Sequence, residues 1–281
     1  MDRLSLFRSN RVCVILTGAS RGFGVALATT LAKYYRDQFN QDNSSICELM
    51  FVLLARNIDQ LKAAAERLSQ MDIRIKVSIL SCDLAKEEAI ESVEQFFQTI
   101  HLFSNPKPYE HYILLHNAGS IGDANMFCKS ISINQMQSRK EYYSLNLFSV
   151  MELTGLFIRQ TESLRSSFRH IINISSLAAI QPFPGLVDYC VGKTAREAYF
   201  RALVNELNDD PKNNGNLIRI LNYAPGPMKT EMFDSISTNS LVSKAFQKIV
   251  PLNPDQSAEK LWKVLAGDSF TNGDHIDFYD I

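Results

Sequence analysis

Two kinds of apolar pattern alternate along this chain of 281 residues. Short runs rich in valine, isoleucine and leucine predict buried strands, and longer stretches with apolar residues three or four positions apart predict helices. The predicted strands are Arg11–Leu16, Met50–Ala55, Lys76–Ser81, Tyr112–His116, His170–Ser175 and Arg219–Tyr223. The predicted helices are Phe23–Gln38, Ile58–Gln70, Glu87–Phe103, a long helix over 135–164, and Val187–Asn208.

This alternation of strands and helices predicts an α/β fold with a parallel sheet and helices on both faces. Because crossover connections are right-handed, the sheet is expected to be doubly wound, of the Rossmann type, with ligands at the carboxyl ends of its strands. Two polar stretches, Asn40–Ser45 and Asp209–Asn216, are expected to be exposed loops. The sequence contains no internal repeat and no linker, so residues 1–281 are predicted to form a single domain.

The composition narrows the possible partners. Hydrophobic residues make up 46% of the chain and charged residues 21%, as in an ordinary globular protein. The formal net charge of −1 disfavours nucleic acid or an anionic membrane as the main partner. No apolar run approaches the roughly 18 residues of a membrane span, and charges near the N-terminus disfavour a signal peptide. We therefore expect a cytosolic protein.

The five cysteines, at positions 13, 47, 82, 128 and 190, are widely spaced and odd in number. This pattern predicts reduced thiols, with neither a disulfide framework nor a metal site. Cys190 has no histidine near it in sequence that could activate it as a nucleophile. A Ser/His/Asp hydrolase is also disfavoured, because the chain lacks the Gly-x-Ser-x-Gly elbow.

A glycine-rich segment, Thr17–Gly24, follows the first predicted strand and opens the first predicted helix. Glycines let the backbone turn tightly and approach a pyrophosphate, and the helix N-terminus offers free N–H groups. A turn that needs left-handed glycines and binds nothing is the alternative. The residues expected to bind a dinucleotide here are Gly18, Ser20, Arg21, Gly22, Phe23 and Gly24.

The second predicted strand ends at Arg56 and Asn57, where an acidic residue would bind the ribose 2′-hydroxyl of NAD. Arg56 and Arg21 instead suit a 2′-phosphate, so we predict NADP(H) over NAD(H) as cofactor; either arginine could equally be a solvated surface charge. After the third strand, Asp83 is expected either to accept a hydrogen bond from adenine, with Leu84 beside it, or to cap a helix from residue 86 onward. Asn117, in Asn-Ala-Gly, permits close backbone approach to the cofactor.

Tyr189 and Lys193 lie four residues apart in a predicted helix, and Ser176 precedes the tyrosine by thirteen residues. Positions i and i+4 share a helix face, so the ammonium can lie near the phenol. A cation about 4 Å away contributes roughly 4 kcal/mol at a dielectric of about 20, which would lower the tyrosine pKa by roughly three units. Ser176 could bond the same substrate oxygen. The alternative is an amphipathic helix in which the tyrosine packs and the lysine is solvated.

Taken together in this order, the glycine loop, Asn117-Ala-Gly119 and the Ser…Tyr-x-x-x-Lys set resemble the short-chain dehydrogenase/reductases over nearly the whole chain. The resemblance implies that Tyr189 donates a proton to a substrate carbonyl, that Lys193 lowers its pKa and binds the nicotinamide ribose, and that Ser176 orients the carbonyl. It further implies a water-linked proton relay supported by Asn146. Contacts to the nicotinamide are implied for Met228, Thr230 and Met232.

The C-terminal run His275–Asp280 resembles members of this family that reduce pterins, as do the segments Asn117–Asp123, Gln181–Phe183 and Leu221–Pro227. The resemblance implies that Asp277 anchors the amino and ring N–H edge of a pterin. It also implies a substrate loop at about 226–250 and a substrate-anchoring segment at 273–281. The substrate-binding residues implied are Ser176, Leu177, Tyr189, Gly226 and Asp277.

We therefore predict NADPH-dependent reduction of pterin side-chain carbonyls, as in tetrahydrobiopterin biosynthesis. A broad carbonyl or diketone reductase is the first alternative, and a non-catalytic NADP-sensing protein is the second. The family resemblance also implies a homodimer formed through the helices at 135–164 and 187–207. Its contact could include Leu147, Val150, Leu153, Phe157 and Leu203, although these residues could equally belong to the core.

Overall fold

The computed structural model describes residues 6, 9–41, 48–124, 129, 131–164, 166–210, 218–238 and 246–280. Its strands are β1 (Arg11–Thr17), β2 (Glu48–Ala55), β3 (Ile75–Ser81), β4 (His111–His116), β5 (Phe168–Ile174), β6 (Ile218–Ala224) and β7 (His275–Asp277). Its helices are α1 (Gly22–Gln41), α2 (Ile58–Ser69), α3 (Ala89–Thr99), α4 (Met136–Tyr143), α5 (Ser149–Thr161), α6 (Val187–Asp209), α7 (Glu231–Ser237) and α8 (Pro254–Gly267).

The strands form one parallel sheet in the order β3-β2-β1-β4-β5-β6-β7. The chain winds outward from β1 to β3, returns to β4 beside β1, and then winds outward to β7 on the other side. The winding direction therefore reverses between β1 and β4, and such a switch point leaves a crevice at the carboxyl ends of the strands. The predicted doubly wound sheet is confirmed.

The core has two halves, one on each face of the sheet. Along β1, Val12, Val14 and Leu16 face the helices α1, α2 and α8, whereas Cys13 and Ile15 face α3, α5 and α6. The central strands are buried on both faces, which explains their continuous apolar runs. This packing makes the sheet rigid and leaves functional groups to the loops at its carboxyl edge.

The region 135–164 is not the single long helix that the sequence predicts. It consists of α4, a π-helical turn at Ser144–Phe148, and α5. Helix α3 begins at Ala89 rather than at residue 87. Three elements were not predicted, namely α7, α8 and β7. The start of α8 carried a readable signal, because Asn253 and Gln256 form a capping box around Pro254.

Parts of the two predicted polar loops, at 42–45 and 211–216, lie outside the described residues; Asn40 and Gln41 belong to α1 instead, and Asp209 belongs to α6. Residues 239–245 of the predicted substrate loop and residue 281 also lie outside them. Within the described ranges, Cys13, Cys82 and Cys190 are free thiols. None of the helices described here combines the length and the apolar character needed to cross a membrane.

Candidate active site

A cleft of about 1220 Å³ opens at the carboxyl ends of the strands on both sides of the β1–β4 switch point. It brings together almost all of the predicted site residues. Those that line it are Gly18, Ser20, Arg21, Gly22, Phe23, Arg56, Asn57, Asp83, Leu84, Asn117, Ser176, Leu177, Tyr189, Lys193, Gly226, Met228, Thr230, Met232 and Asp277. The two remaining predicted site residues, Gly24 and Asn146, do not line the cleft.

The three glycines of the loop after β1 are needed for two different structural reasons. Gly18 and Gly22 have positive φ angles of 66° and 54°, a backbone conformation that side chains disfavour. Gly24 lies within α1, and a Cβ on it would come within 2.1 Å of the Gly18 carbonyl oxygen. The Asn117 side chain donates to the carbonyl oxygens of Thr17 and Gly18 at 3.1 and 3.0 Å, so it braces this loop.

Several residues expected to bind the adenosine half of the cofactor form contacts with other groups of the protein. Arg21 forms an ion pair with Glu231 at the start of α7, while Arg56 is exposed at the end of β2. The side-chain oxygen of Asn57 accepts from the Gln60 N–H at 2.9 Å and caps α2. Asp83 does not cap a helix at residue 86 as one alternative predicted. Its carboxylate accepts from the Ala85 N–H at 3.1 Å in a turn, and α3 begins later.

Ser176 follows the end of β5, and Tyr189 and Lys193 project from the first two turns of α6. The Ser176 hydroxyl lies close enough to the Tyr189 phenol to lower the pKa of the tyrosine. Ser176 Oγ also accepts from the Ala178 N–H at 3.2 Å, which leaves the hydroxyl hydrogen available to the phenol. Lys193 Nζ donates to the Ile174 carbonyl at 2.6 Å and lies 5.6 Å from the centre of the Tyr189 ring.

The expected lowering of the Tyr189 pKa by Lys193 is not found in this structure. Burial raises the pKa of Tyr189, against opposing effects of the Ser176 hydrogen bond and the charge of Arg196. Burial also holds the pKa of Lys193 well below its usual value, and Arg196 adds to that effect. The reason is geometric, because the Lys193 side chain is buried and its Nζ is bonded to the Ile174 carbonyl rather than to the phenol.

Arg196 is a charged residue at the site that sequence reasoning missed. Its side chain is 0% exposed, and it donates to the His116 and Ala118 carbonyl oxygens at 2.8 and 3.4 Å. It therefore holds the chain at the end of β4 and places a permanent charge behind Tyr189. Residues 189, 193 and 196 are spaced i, i+4 and i+7, which would have placed all three on one helix face.

Asn146 lies in the π-helical turn between α4 and α5 and is 2% exposed. Its amide donates to the Tyr142 carbonyl, and its oxygen accepts from the Ser120 N–H, both at 2.9 Å. π-Helical turns are frequent at functional sites because they displace one side chain from the helical repeat. Here the turn directs Asn146 toward the segment after Asn117. Its support of a proton relay stays a prediction.

The substrate end of the cleft is built by segments far apart in sequence. β7 pairs with β6 so that Asp277 lies opposite Ala224, and Asp277 Oδ1 accepts from the Tyr279 N–H at 3.0 Å. Gly226, at a φ of 73°, lets the chain turn after β6. Sequence reasoning missed the aromatic wall of this end, where the Phe246 ring lies 6.1 Å from Phe183 and 6.2 Å from Phe233.

The site thus combines a cleft with a glycine loop at a helix N-terminus and, at its other end, a serine and a tyrosine close together beside a buried lysine. The family described as short chain dehydrogenase matches residues 12–241. The chain belongs to the short-chain dehydrogenase family, and it is an NAD(P)-dependent oxidoreductase.

Within this family, the chain is similar over almost its whole length to sepiapterin reductases. It is 32% identical to that of Rattus norvegicus, with 96% of this chain and 97% of the relative covered, and 30% identical to that of Xenopus laevis, with 96% of each covered. A benzil reductase of Bacillus subtilis is 28% identical over 54% of this chain and 58% of its own length. Among solved structures, a 7α-hydroxysteroid dehydrogenase complexed with NADH has a TM-score of 0.73 at 22% identity, with 96% of this chain and 94% of the other covered.

The cofactor of this protein is NADP(H), and the cleft fits such a group. Gly18 and Gly22 line the cleft, and because they lack side chains their backbone is accessible from it. Helix α1 begins at the place where the diphosphate of the cofactor would lie. The membership in an enzyme family argues against the non-catalytic NADP-sensing alternative.

Proposed function

We propose that the protein uses NADPH to reduce side-chain carbonyls of pterins such as sepiapterin, in the last steps of tetrahydrobiopterin formation. The observation that carries this proposal is the position of Asp277, which lines the same cleft as Ser176 and Tyr189. A carboxylate can accept two hydrogen bonds from the amino and ring N–H edge of a pterin. The similarity to sepiapterin reductases over 96% of the chain supports the same substrate class.

In the proposed reaction the protein holds the substrate and moves a proton. Tyr189 Oη donates its proton to the carbonyl oxygen, and the Ser176 hydroxyl holds that oxygen. Lys193 is expected to bind the nicotinamide ribose. NADPH, when bound, supplies the hydride that converts the carbonyl carbon to that of a secondary alcohol, and NADP⁺ is the product. Met228, Thr230 and Met232 would cover the reacting end and exclude water.

A preference for NADPH over NADH is part of the proposal. Arg56 is exposed at the end of β2, in the position where NAD-dependent relatives carry an acidic residue. Arg21 lines the same cleft but is paired with Glu231, so a 2′-phosphate would have to compete for its guanidinium. We therefore assign the larger share of phosphate binding to Arg56.

The test compares sepiapterin with the small diketone butane-2,3-dione in an NADPH-oxidation assay. The Asp277→Ala variant is expected to lose about 2–3 kcal/mol of transition-state binding for sepiapterin, or about 30–150-fold in kcat/KM, because a charged acceptor is removed. Turnover of the diketone, which has no edge for Asp277 to bind, should change less than threefold by the same reasoning. Equal losses on both substrates would contradict pterin anchoring by Asp277.

A broad carbonyl or diketone reductase is the second candidate. The aromatic wall of Phe183, Phe233 and Phe246 suits flat apolar substrates, and the similarity to a benzil reductase points the same way. That similarity covers only 54% of this chain, whereas the similarity to sepiapterin reductases covers 96%. A wild-type enzyme with a higher kcat/KM for butane-2,3-dione than for sepiapterin would favour this candidate.

A homodimer is also proposed, with a contact that differs from the predicted one. Val150, Leu153, Phe157 and Leu203 are buried in the core of one chain and cannot form an interface. Exposed apolar residues near these positions are Phe148 just before α5, Met151 on α5, and Val187 and Val191 on α6. Sedimentation of the wild type and of Val191→Glu tests this, since a dimer contact should dissociate in the variant. The cytosolic location stays a prediction.

A further inference from the structure

A buried carboxylate links the two ends of the substrate site. Glu197 on α6 is 1% exposed. Its Oε1 accepts from the Ser175 hydroxyl and from His275 Nδ1, the latter at 2.6 Å. Ser175 is the neighbour of Ser176, and His275 precedes Asp277 by two residues on β7. One side chain therefore contacts both the segment that carries the catalytic serine and the strand that carries the substrate anchor.

The hydrogen bonds make this buried carboxylate stable as an anion. Burial raises the pKa of Glu197, but the bonds from His275 and Ser175 outweigh that effect and leave it below its usual value. The same contact raises the pKa of His275. Arg201 adds a third donor at 3.3 Å. A buried ion that is bonded on several sides resists displacement, because removal of one partner leaves an uncompensated charge.

β7 depends on such a contact more than the other strands do. It has three residues, lies at the edge of the sheet, and pairs with β6 alone. Short edge strands open easily, since few backbone hydrogen bonds hold them. The His275 side chain ties β7 to α6, which is firmly seated: one turn before Glu197, Lys193 Nζ bonds the Ile174 carbonyl at the end of β5.

We propose that the Glu197–His275 contact is a positioning device that fixes the spacing between Asp277 and the Ser176–Tyr189 pair. Resting on the proposed pterin reductase function, this device sets selectivity for substrates that are long enough to be bound at both ends. A pterin held by its ring edge at Asp277 and by its carbonyl at Ser176 requires that spacing. A small diketone, bound only at Ser176 and Tyr189, does not.

The chain offers a matched pair of variants at position 275. His275→Leu removes the donor to Glu197. His275→Asn keeps an N–H close to the place of Nδ1, and the other ring nitrogen, Nε2, has no hydrogen-bond partner among the described residues. Asparagine should therefore restore what leucine removes. His275→Gln, which moves the amide away from Glu197, serves as a second removal variant in case the leucine protein does not fold.

Two measurements on the full chain test the inference. In His275→Leu, kcat/KM for sepiapterin should fall about tenfold while that for butane-2,3-dione stays within about twofold, and His275→Asn should recover most of the loss. Amide hydrogen exchange of the peptide covering 273–280 should be faster in His275→Leu than in His275→Asn, and this comparison does not depend on which substrate the enzyme reduces. Equal losses on both substrates, or exchange unchanged by the leucine, would overturn the inference. A wild type inactive on sepiapterin would instead overturn the proposed function, and the exchange comparison would still decide on the positioning device.

Discussion

Replacement of Gly24 by alanine tests whether the glycine loop depends on close backbone packing. Gly24 lies in the first turns of α1, and helix propensity alone predicts that alanine stabilises this position by about 0.5–1 kcal/mol. The structure predicts the opposite sign. The added Cβ would lie 2.1 Å from the Gly18 carbonyl oxygen and 2.9 Å from Asn117 Nδ2, whereas ordinary contact begins at 3.4 Å.

The loss of stability in Gly24→Ala can be estimated from the groups that the added methyl displaces. The clashing oxygen belongs to the backbone, so no side-chain rotation relieves the contact, and overpacking of this kind costs about 1–3 kcal/mol. Displacement of the loop also breaks at least one of the two hydrogen bonds from Asn117, each worth about 1 kcal/mol. We expect a total of about 3 kcal/mol, or a Tm lower by about 6–12 °C for a chain of this size.

Thermal unfolding and NADPH titration by fluorescence measure the two consequences. NADPH binding should weaken by about 100-fold or more, since the displaced loop loses charge-assisted bonds to the diphosphate. Gly267→Ala is the matched control, because it also lies in a helix but its Cβ would meet only Ser269 at 3.6 Å. A Gly24→Ala protein that unfolds at or above the wild-type temperature and binds NADPH normally would refute the reasoning.

Three further predictions concern the rest of the site. Tyr189→Phe should bind NADPH normally and lower kcat by about 10²–10⁴, because only the proton donor is removed; a wild-type kcat would contradict its role. Arg56→Glu should raise the KM for NADPH at least tenfold, because about one charge-assisted hydrogen bond to the 2′-phosphate is lost, and it should lower the KM for NADH. Equal KM values for NADPH and NADH in the wild type would contradict the preference for NADPH. The hydrogen bond from Arg139 holds the pKa of Asp188 below 3.8, so this pair stabilises the fold above that pH and the stabilisation is lost as pH falls through the lowered pKa. Arg139→Met should therefore be destabilised at pH 7 by about 1 kcal/mol in urea unfolding, and this difference should shrink as the pH falls through the lowered pKa of Asp188; a pH-independent difference would speak against it.

The sheet was predictable because each central strand is buried on both faces. Continuous apolar runs such as those of β1 and β2 have few other interpretations when helical patterns separate them. β7 was not predictable in this way, since three residues are too few to show an apolar pattern typical of a strand. The break between α4 and α5 was also hidden, because a π-helical turn needs one extra residue in a repeat and leaves the apolar composition unchanged.

The candidate site was predictable where its residues are close in sequence. Gly18 to Gly24, and Tyr189 with Lys193, are local patterns whose spacing places the residues of each pattern side by side. Arg196 and Glu197 were overlooked although they lie on the same helix, because charged residues on a helix are ordinarily solvated. Their burial depends on the ends of β4, β5 and β7, which come together only in the folded sheet.

The sequence by itself determined the alternation of the first six strands with helices, the dinucleotide loop, and the serine, tyrosine and lysine that mark a carbonyl-reducing site. The tertiary structure decided the contacts among them. Only the sheet order places Asp277, from the last strand, in the same cleft as Ser176, and only the packing of α6 directs Lys193 to the Ile174 carbonyl rather than to the Tyr189 phenol. The physical reason is that local pattern follows from backbone periodicity, whereas the environment of a charged group follows from which distant segments exclude water from it.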